Sequence, residues 1–220
     1  AFSYRIQAMH SPSAAPPAIG VIGGSGLYEI DGFTEASEIQ VETPFGAPSD
    51  AIVQGRFGRR RVCFLPRHGR GHRLLPTELS HRANLWALKQ ADASSIVSIA
   101  SVGGIRADLG PGTLVIPHQI IDYTWGRKAT FHEGGNAPVV HIDFTQPYDP
   151  ELRQVLLAAA RDAGQGVVDG GVYAAMQGPR LETAAEIDRL ERDGADLVGM
   201  TGMPEAALAR ELELPYAAIT

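Results

Sequence analysis

Ile19-Gly20-Val21-Ile22-Gly23-Gly24-Ser25-Gly26-Leu27 decides the fold: a short apolar strand runs directly into a glycine-rich turn. Comparable apolar segments recur at Ala51–Val53, Val62–Leu65, Ile96–Ala100, Leu114–Ile116, Val172–Met176, Ala195–Val198 and Tyr216–Ile219. Each is continuous rather than alternating, which suits strands buried on both faces. Helical signals lie between them. Residues 77–90 place Leu79, Ala83, Trp86, Ala87 and Gln90 on one stripe. Asp149, Pro150 and Glu151 read as N-cap, N1 proline and first-turn acid. They open a helix with Leu152, Val155, Leu156, Ala159 and Ala163 on one face, ended by Gly164. Thr183 caps a helix carrying Ile187 and Leu190 and closed by Gly194, and Pro204 starts a last one through Ala207, Leu208 and Leu212. Strands alternating with helices predict an α/β fold around a mostly parallel or mixed sheet.

The 220 residues carry 19 Lys plus Arg against 25 Asp plus Glu, a net charge of −6. An acidic balance argues against a nucleic-acid partner, because phosphate backbones demand a basic face. Hydrophobic residues make up 44%, a globular proportion, which excludes disorder for most of the chain. A single cysteine, Cys63, excludes a disulfide framework and a Cys-rich zinc site and suits the reducing cytoplasm. No apolar run approaches the roughly 20 residues a membrane span needs, so no membrane partner is expected. Residues 1–18 mix Ser, Pro and Ala without periodicity and are expected to form a flexible tail before one domain over 19–220. The chain stops at Thr220, inside a predicted strand.

The glycine turn invites a dinucleotide reading, which fails. With Gly24 and Gly26 as its first two glycines, the third position is Glu29, a carboxylate facing pyrophosphate. No lysine follows for a P-loop, and Ser25 lacks the spacing of a nucleophile elbow. Backbone N–H groups at such a turn, joined by the Ser25 hydroxyl, hold a small anion or simply make a tight turn. Arg67 and His68 follow another buried strand, where ligands collect in open α/β sheets. Arg67 brings a fork suited to phosphate. His68 and His72 could instead ligate a metal, but they lack helical register and a neighbouring Cys or carboxylate, so no metal site is assigned. Arg70, His72 and Arg73 are equally a solvated basic loop. Ala100-Ser101-Val102-Gly103-Gly104, Gly178–Thr183 and Gly199–Glu205 are further turns, in which Ser101 and Thr201 supply hydroxyls. Small hydroxyls and one Arg-His pair at strand exits suit a phosphate handled as a free reactant.

The motifs I-G-G-S-G-L (22–27), V-E-T-P-F-G-A-P-S-D (41–50), R-H-G-R-G-H (67–72), N-L-W-A-L-K (84–89), G-G-I-R (103–106), P-G-T-L-V-I-P-H-Q-I-I-D (111–122), Q-G-P-R-L-E-T-x-A-E (177–186) and V-G-M-T-G-M-P-E-A (198–206) occur in consistent order. Together they resemble the purine nucleoside phosphorylase and methylthioadenosine phosphorylase family, in particular its branch acting on 5'-methylthio nucleosides. The resemblance implies a single mixed α/β domain, with helices flanking a central sheet that contains a distorted barrel. It implies that Ser25, Arg67, His68, Ala100, Ser101 and Thr201 bind phosphate, Ala100 through its backbone alone, with Arg67 and His68 catalytic. It places Met200 against the ribose and His141 in the 5' pocket of a neighbouring subunit, within a homotrimer or hexamer that shares active sites. Inorganic phosphate is then a co-substrate, and neither metal nor organic cofactor takes part. Phosphate attacks C1' of the ribose while the purine leaves through an oxocarbenium-like state. Family members also continue past the position of Thr220 into a loop and helix that complete the base and 5' pockets.

Glu182 bears on which purine leaves. Inosine- and guanosine-cleaving relatives of that family carry Glu here, whereas methylthioadenosine phosphorylases carry a small hydroxyl residue. A 6-oxopurine presents N1–H, which a carboxylate accepts, whereas adenine N1 is itself an acceptor. A mismatched buried polar pair costs about 1–3 kcal/mol, so Glu182 favours hypoxanthine over adenine. The alternative is that Glu182 is only a first-turn acid beside Thr183. The methylthio preference rests on the resemblance. Methylthioadenosine or inosine as substrate, and a nucleoside-binding protein without turnover, are the competing expectations.

Overall fold

The computed structural model describes residues 17–24, 32–134 and 139–220. Ser25 and the first 16 residues of the expected tail lie outside the described residues. The first half contains β1 (Ala18–Gly23), β2 (Phe33–Ile39), β3 (Ile52–Phe57), β4 (Arg60–Pro66), α1 (His81–Gln90) and β5 (Ala93–Ile99). Next come β6 (Gly103–Gly104), β7 (Leu114–Ile116), β8 (Gln119–Asp122), α2 (Pro150–Asp162) and β9 (Val167–Asp169). The remainder is β10 (Val172–Ala175), α3 (Ala184–Arg192), β11 (Leu197–Gly199), α4 (Gly202–Glu211) and β12 (Tyr216–Ile219).

Six strands form the main sheet in the order β12-β5-β1-β4-β3-β2. β12, β5, β1 and β4 run parallel, while β3 and β2 continue antiparallel at one edge. β1 lies deep between its neighbours because Gly20 has no side chain. A Cβ there would stand 2.6 Å from Ile96, closer than packed atoms tolerate. Ile22, Leu65, Leu85, Leu88, Ile96, Leu197 and Leu208 are buried in the core around this sheet. A second sheet runs β6-β11-β10-β8, and β7 pairs with β9.

The α/β class and the mixed central sheet agree with the sequence reading, but the described strands close no barrel. Val115 N–H donates to Thr220 O at 2.8 Å and Thr220 N–H donates back to Val115 O at 2.9 Å. These bonds stitch β7 onto the end of β12, so the main sheet curls toward its neighbours. At the opposite edge, β2 is mostly exposed and pairs with no further strand among the described residues, which leaves the curl of those strands open.

Local chemistry explains the helices. Asp149 caps α2 by accepting from Leu152 N–H at 2.8 Å, with Pro150 at its start. Thr183 and Glu186 form a reciprocal capping box on α3. Met203 and Pro204 carry non-helical backbone angles, so regular α4 begins after the proline. The expected apolar face of α2 needs correction: Leu157 is its buried residue, whereas Val155 is 61% exposed. Arg153 faces inward instead, donating to Pro117 O at 2.8 Å. β1 also starts one residue before the expected strand, with Ala18 buried in it. No helix among the described residues is long and apolar enough to cross a membrane.

Candidate active site

The parallel strands deliver three turns to one edge of the main sheet. Gly24 N–H donates to Ile99 O at 3.2 Å, Arg67 N–H to Gly23 O at 2.8 Å, and Ala100 N–H to Ile219 O at 3.2 Å. Gly24, Arg67 and Ala100 therefore stand side by side just past β1, β4 and β5, at the carboxyl edge where open α/β sheets bind ligands. The second sheet joins this edge. Gly103 pairs with Val198, and a Cβ on Gly199 would lie 2.9 Å from Val102. The Ala100–Ser101 turn thus runs against the end of β11, next to Met200 and Thr201.

Arg67 is fully buried and heavily bonded. Its Nε donates to Glu205 Oε1 at 2.6 Å and Nη2 to Glu205 Oε2 at 3.2 Å, a bidentate clamp. Nη2 also reaches Ser98 Oγ at 2.7 Å and Ile22 O at 3.3 Å, while Nη1 donates to Ile99 O at 2.9 Å. Nη1 is the end turned toward the glycine turn, 3.7 Å from where a Gly24 Cβ would sit. Burial alone would push the Glu205 carboxyl up, but the charge and hydrogen bonds of Arg67 and the neighbouring His81 together outweigh it and hold Glu205 down at about 2. Burial likewise opposes the Arg67 charge, and Glu205 raises its pKa nonetheless. Tyr216 Oη and Ser98 Oγ donate to Glu205 Oε2 at 3.1 and 3.2 Å. His81 Nδ1 lies 3.7 Å from Glu205 Oε1, too far for a hydrogen bond, and burial lowers its pKa.

His68 is buried beside Arg67, with Nδ1 2.9 Å from Leu74 O and its ring stacked on His72 at 4.3 Å. A carbonyl only accepts, so Nδ1 carries the proton and Nε2 of the neutral ring is left as an acceptor. Burial lowers its pKa. In that state His68 matches a protonated phosphate oxygen. The Arg70 side chain pairs instead with Glu38 at 2.7 Å, and Arg73 donates to Ser49 O.

Thr201 is buried ahead of α4, its N–H donating to Tyr173 Oη at 3.4 Å, and its hydroxyl makes no capping bond. Met200 packs on Gly178, which has a φ of +65° and would place a Cβ 2.4 Å from the Met200 sulfur. The Gly178–Thr183 turn is thereby held against Met200. Glu182 is half-buried in that turn and makes no hydrogen bond or ion pair among the described residues. The helix-acid role belongs to Glu186, which bonds Arg180 at 2.7 and 2.8 Å and is held at about 2 by it.

The structure therefore brings together Arg67, His68, Ala100, Ser101, Thr201, Met200 and, one turn away, Glu182. Gly24, Ala100 and Ser101 also line a largely apolar cleft of about 700 Å³ whose other wall includes Leu109, Thr113 and Val115. Arg67 lies behind Gly24 rather than in the cleft wall. His141 is exposed, and no hydrogen bond or ring contact joins it to the others among the described residues. No group of three or more His, Cys, Asp or Glu among the described residues is placed to hold a metal ion.

Sequence reasoning missed Glu205, Tyr173 and Arg127. Glu205 had one signal, a lone acid between Pro204 and the apolar run Ala206–Ala209. Arg127 donates to carbonyls of Met176, Gln177, Met200 and Met203, a role with no local signature.

Residues 18–220 match the family described as Phosphorylase superfamily. A protein of Pseudomonas syringae pv. tomato named "Probable S-methyl-5'-thioinosine phosphorylase" is 53% identical over 199 residues, 90% of this chain and 81% of that protein. The S-methyl-5'-thioadenosine phosphorylase of Chloroflexus aurantiacus is 49% identical, with 96% of this chain and 71% of that protein covered. Among solved structures, methylthioadenosine phosphorylase from Schistosoma mansoni in its apo form superposes with a TM-score of 0.89 at 36% identity, covering 93% of this chain and 79% of that one. The match takes in every strand and helix that delivers a turn to the crevice, and the chain belongs to the Phosphorylase superfamily.

Proposed function

We propose that this chain catalyses phosphorolysis of S-methyl-5'-thioinosine, releasing hypoxanthine and S-methyl-5-thioribose 1-phosphate. The observation that carries the reaction type is Arg67, clamped by Glu205 where Gly24, Ala100 and Thr201 converge. A guanidinium fixed before substrate arrives contributes positioning and preorganised electrostatics, the two effects such a displacement needs. His68, Ser101, Thr201 and the backbone at Ala100 complete the phosphate contacts, with Ser25 as a further ligand. Met200 packs against the ribose. Glu182, unpaired and half-buried, accepts from N1–H of the 6-oxopurine.

Relatives named for methylthioinosine and methylthioadenosine both support a methylthio nucleoside. Glu182 selects the first. The enzyme acts in purine salvage in the cytoplasm, as a homotrimer or hexamer in which His141 completes a neighbour's 5' pocket, and it uses no metal or organic cofactor.

Phosphate-dependent release of free base from methylthioinosine, methylthioadenosine and inosine, measured side by side, tests the reading. The highest kcat/KM is expected on methylthioinosine. Highest activity on methylthioadenosine would overturn the assignment of the base, and no release with any of the three would leave a nucleoside-binding protein.

A further inference from the structure

We infer that Arg127 is a positioning residue that locks the base-side turn and the phosphate-side turn into one body. The inference rests on the function proposed above. Arg127 lies half-buried in the loop after β8, and each of its five N–H groups has its own acceptor. Nη1 donates to Met200 O at 2.8 Å and Met203 O at 2.5 Å. Nη2 donates to Gln177 O at 2.9 Å and Met176 O at 3.3 Å. Nε donates to Gln177 Oε1 at 3.2 Å, which also accepts from Trp125 N–H at 3.1 Å and so ties the Arg127 loop to the same side chain.

The four carbonyls belong to two segments. Met176 and Gln177 lead from β10 into the turn bearing Glu182. Met200 and Met203 bracket Thr201 on the way from β11 into α4, which bears Glu205. Pairing between these strands ends at Met176 N–H to Gly199 O, 2.7 Å. Past that point, the Met200–Gly178 contact and the Arg127 fork span the gap. With every donor committed to a protein acceptor, Arg127 has none left for substrate and acts through the two turns. It makes no ion pair among the described residues: the carbonyls and the Gln177 side chain take its hydrogen bonds, while Asp122 and Glu205 act on its charge only from a distance. A lysine, with three donors on one atom, cannot span two segments in this way.

Hydrogen exchange on the full-length protein and steady-state kinetics together test this with Arg127→Lys and Arg127→Ala. Faster exchange is expected in residues 176–182 and 199–203 together, with β1 and β5 unchanged. Phosphorolysis should fall about 100-fold in kcat/KM, with the KM values for nucleoside and phosphate rising together. Added guanidinium, but not ammonium, should restore part of the activity of Arg127→Ala. Exchange confined to residues 123–131, a rise in one KM alone, or a lower melting temperature with unchanged kinetics would overturn the inference. If the unaltered protein cleaves none of the nucleosides, the proposed function falls while the exchange result still decides the role of Arg127.

Discussion

Under the proposed function, the two sides of the crevice meet one substrate with opposite physics. On the phosphate side, Arg67 is buried at 0% exposure and held through Nε, Nη1 and Nη2, its charge balanced by Glu205 inside the core. On the base side, Glu182 sits half-buried in a turn held by a surface capping box and by Met200, and its carboxylate is unpaired. The first arrangement fixes a guanidinium whose geometry is already set when an anion arrives. The second leaves an acceptor free, so that its partner is supplied by the ligand. On the proposed reading, the phosphate contact is rooted in the core, and the choice of base is made in a half-buried turn, where substitution is cheap.

The largest expected effect is on the buried pair. Glu205→Gln leaves the Arg67 guanidinium without its counter-charge and should remove about 3–5 kcal/mol of stability, read from denaturant midpoints. A loss under about 1 kcal/mol would show that the clamp is not a core element. Arg67→Lys keeps a charge but not the fork. It should lower kcat/KM for phosphate on the order of 100-fold while nucleoside KM moves little. Equal changes in both KM values would erase the contrast between the two sides.

Glu182→Ser should shift the ratio of methylthioinosine to methylthioadenosine phosphorolysis about 10- to 150-fold toward the adenosine. Its melting temperature should change little, since the carboxylate makes no hydrogen bond or ion pair among the described residues and feels only the exposed Arg180 charge nearby. An unmoved ratio would return Glu182 to the role of a surface acid.

The acid response sharpens the phosphate side further. Burial lowers the His81 pKa below 6.5, so the unfolded chain takes up that proton before the folded one. His68 behaves in the same direction. Glu205, lowered from 4.5 to about 2, contributes stability that is present above 4.5 and lost as pH falls toward 2. All three therefore destabilise the fold on acidification, beginning near pH 6.5 with the histidines. His81→Leu should flatten the stability profile just below pH 6.5 and leave the lower, carboxylate-dependent decline intact. A variant with the original slope in that upper window would exclude His81 as its source.

Legibility in the sequence followed how local each determinant is. β7 and β12 match the apolar segments Leu114–Ile116 and Tyr216–Ile219 residue for residue, and the Asp149 and Thr183 caps act within one turn of their own helices. β2 escaped because an exposed edge strand reading Thr34-Glu35-Ala36-Ser37-Glu38 has no apolar run. The face of α2 was misread because Leu152, Val155, Leu156, Leu157 and Ala158–Ala160 spread small and apolar residues around the helix. Arg67 and His68 were visible as chemistry placed just past a strand. Glu205 is 138 residues from Arg67, and Arg127 is 73 from Met200, so only the folded chain reveals those partnerships.

That separation also bears on how the chain assembles. Arg67 leaves the ribosome before Glu205, and β1, β4 and β5, between which it is buried, all precede α4 in the chain. Closing those strands over an unpaired guanidinium would cost several kcal/mol. That cost favours packing β1, β4 and β5 around Arg67 only together with α4, which supplies the carboxylate. One ion pair therefore couples the packing of the early strands to that of a helix far along the chain, at the very point where an anion would dock.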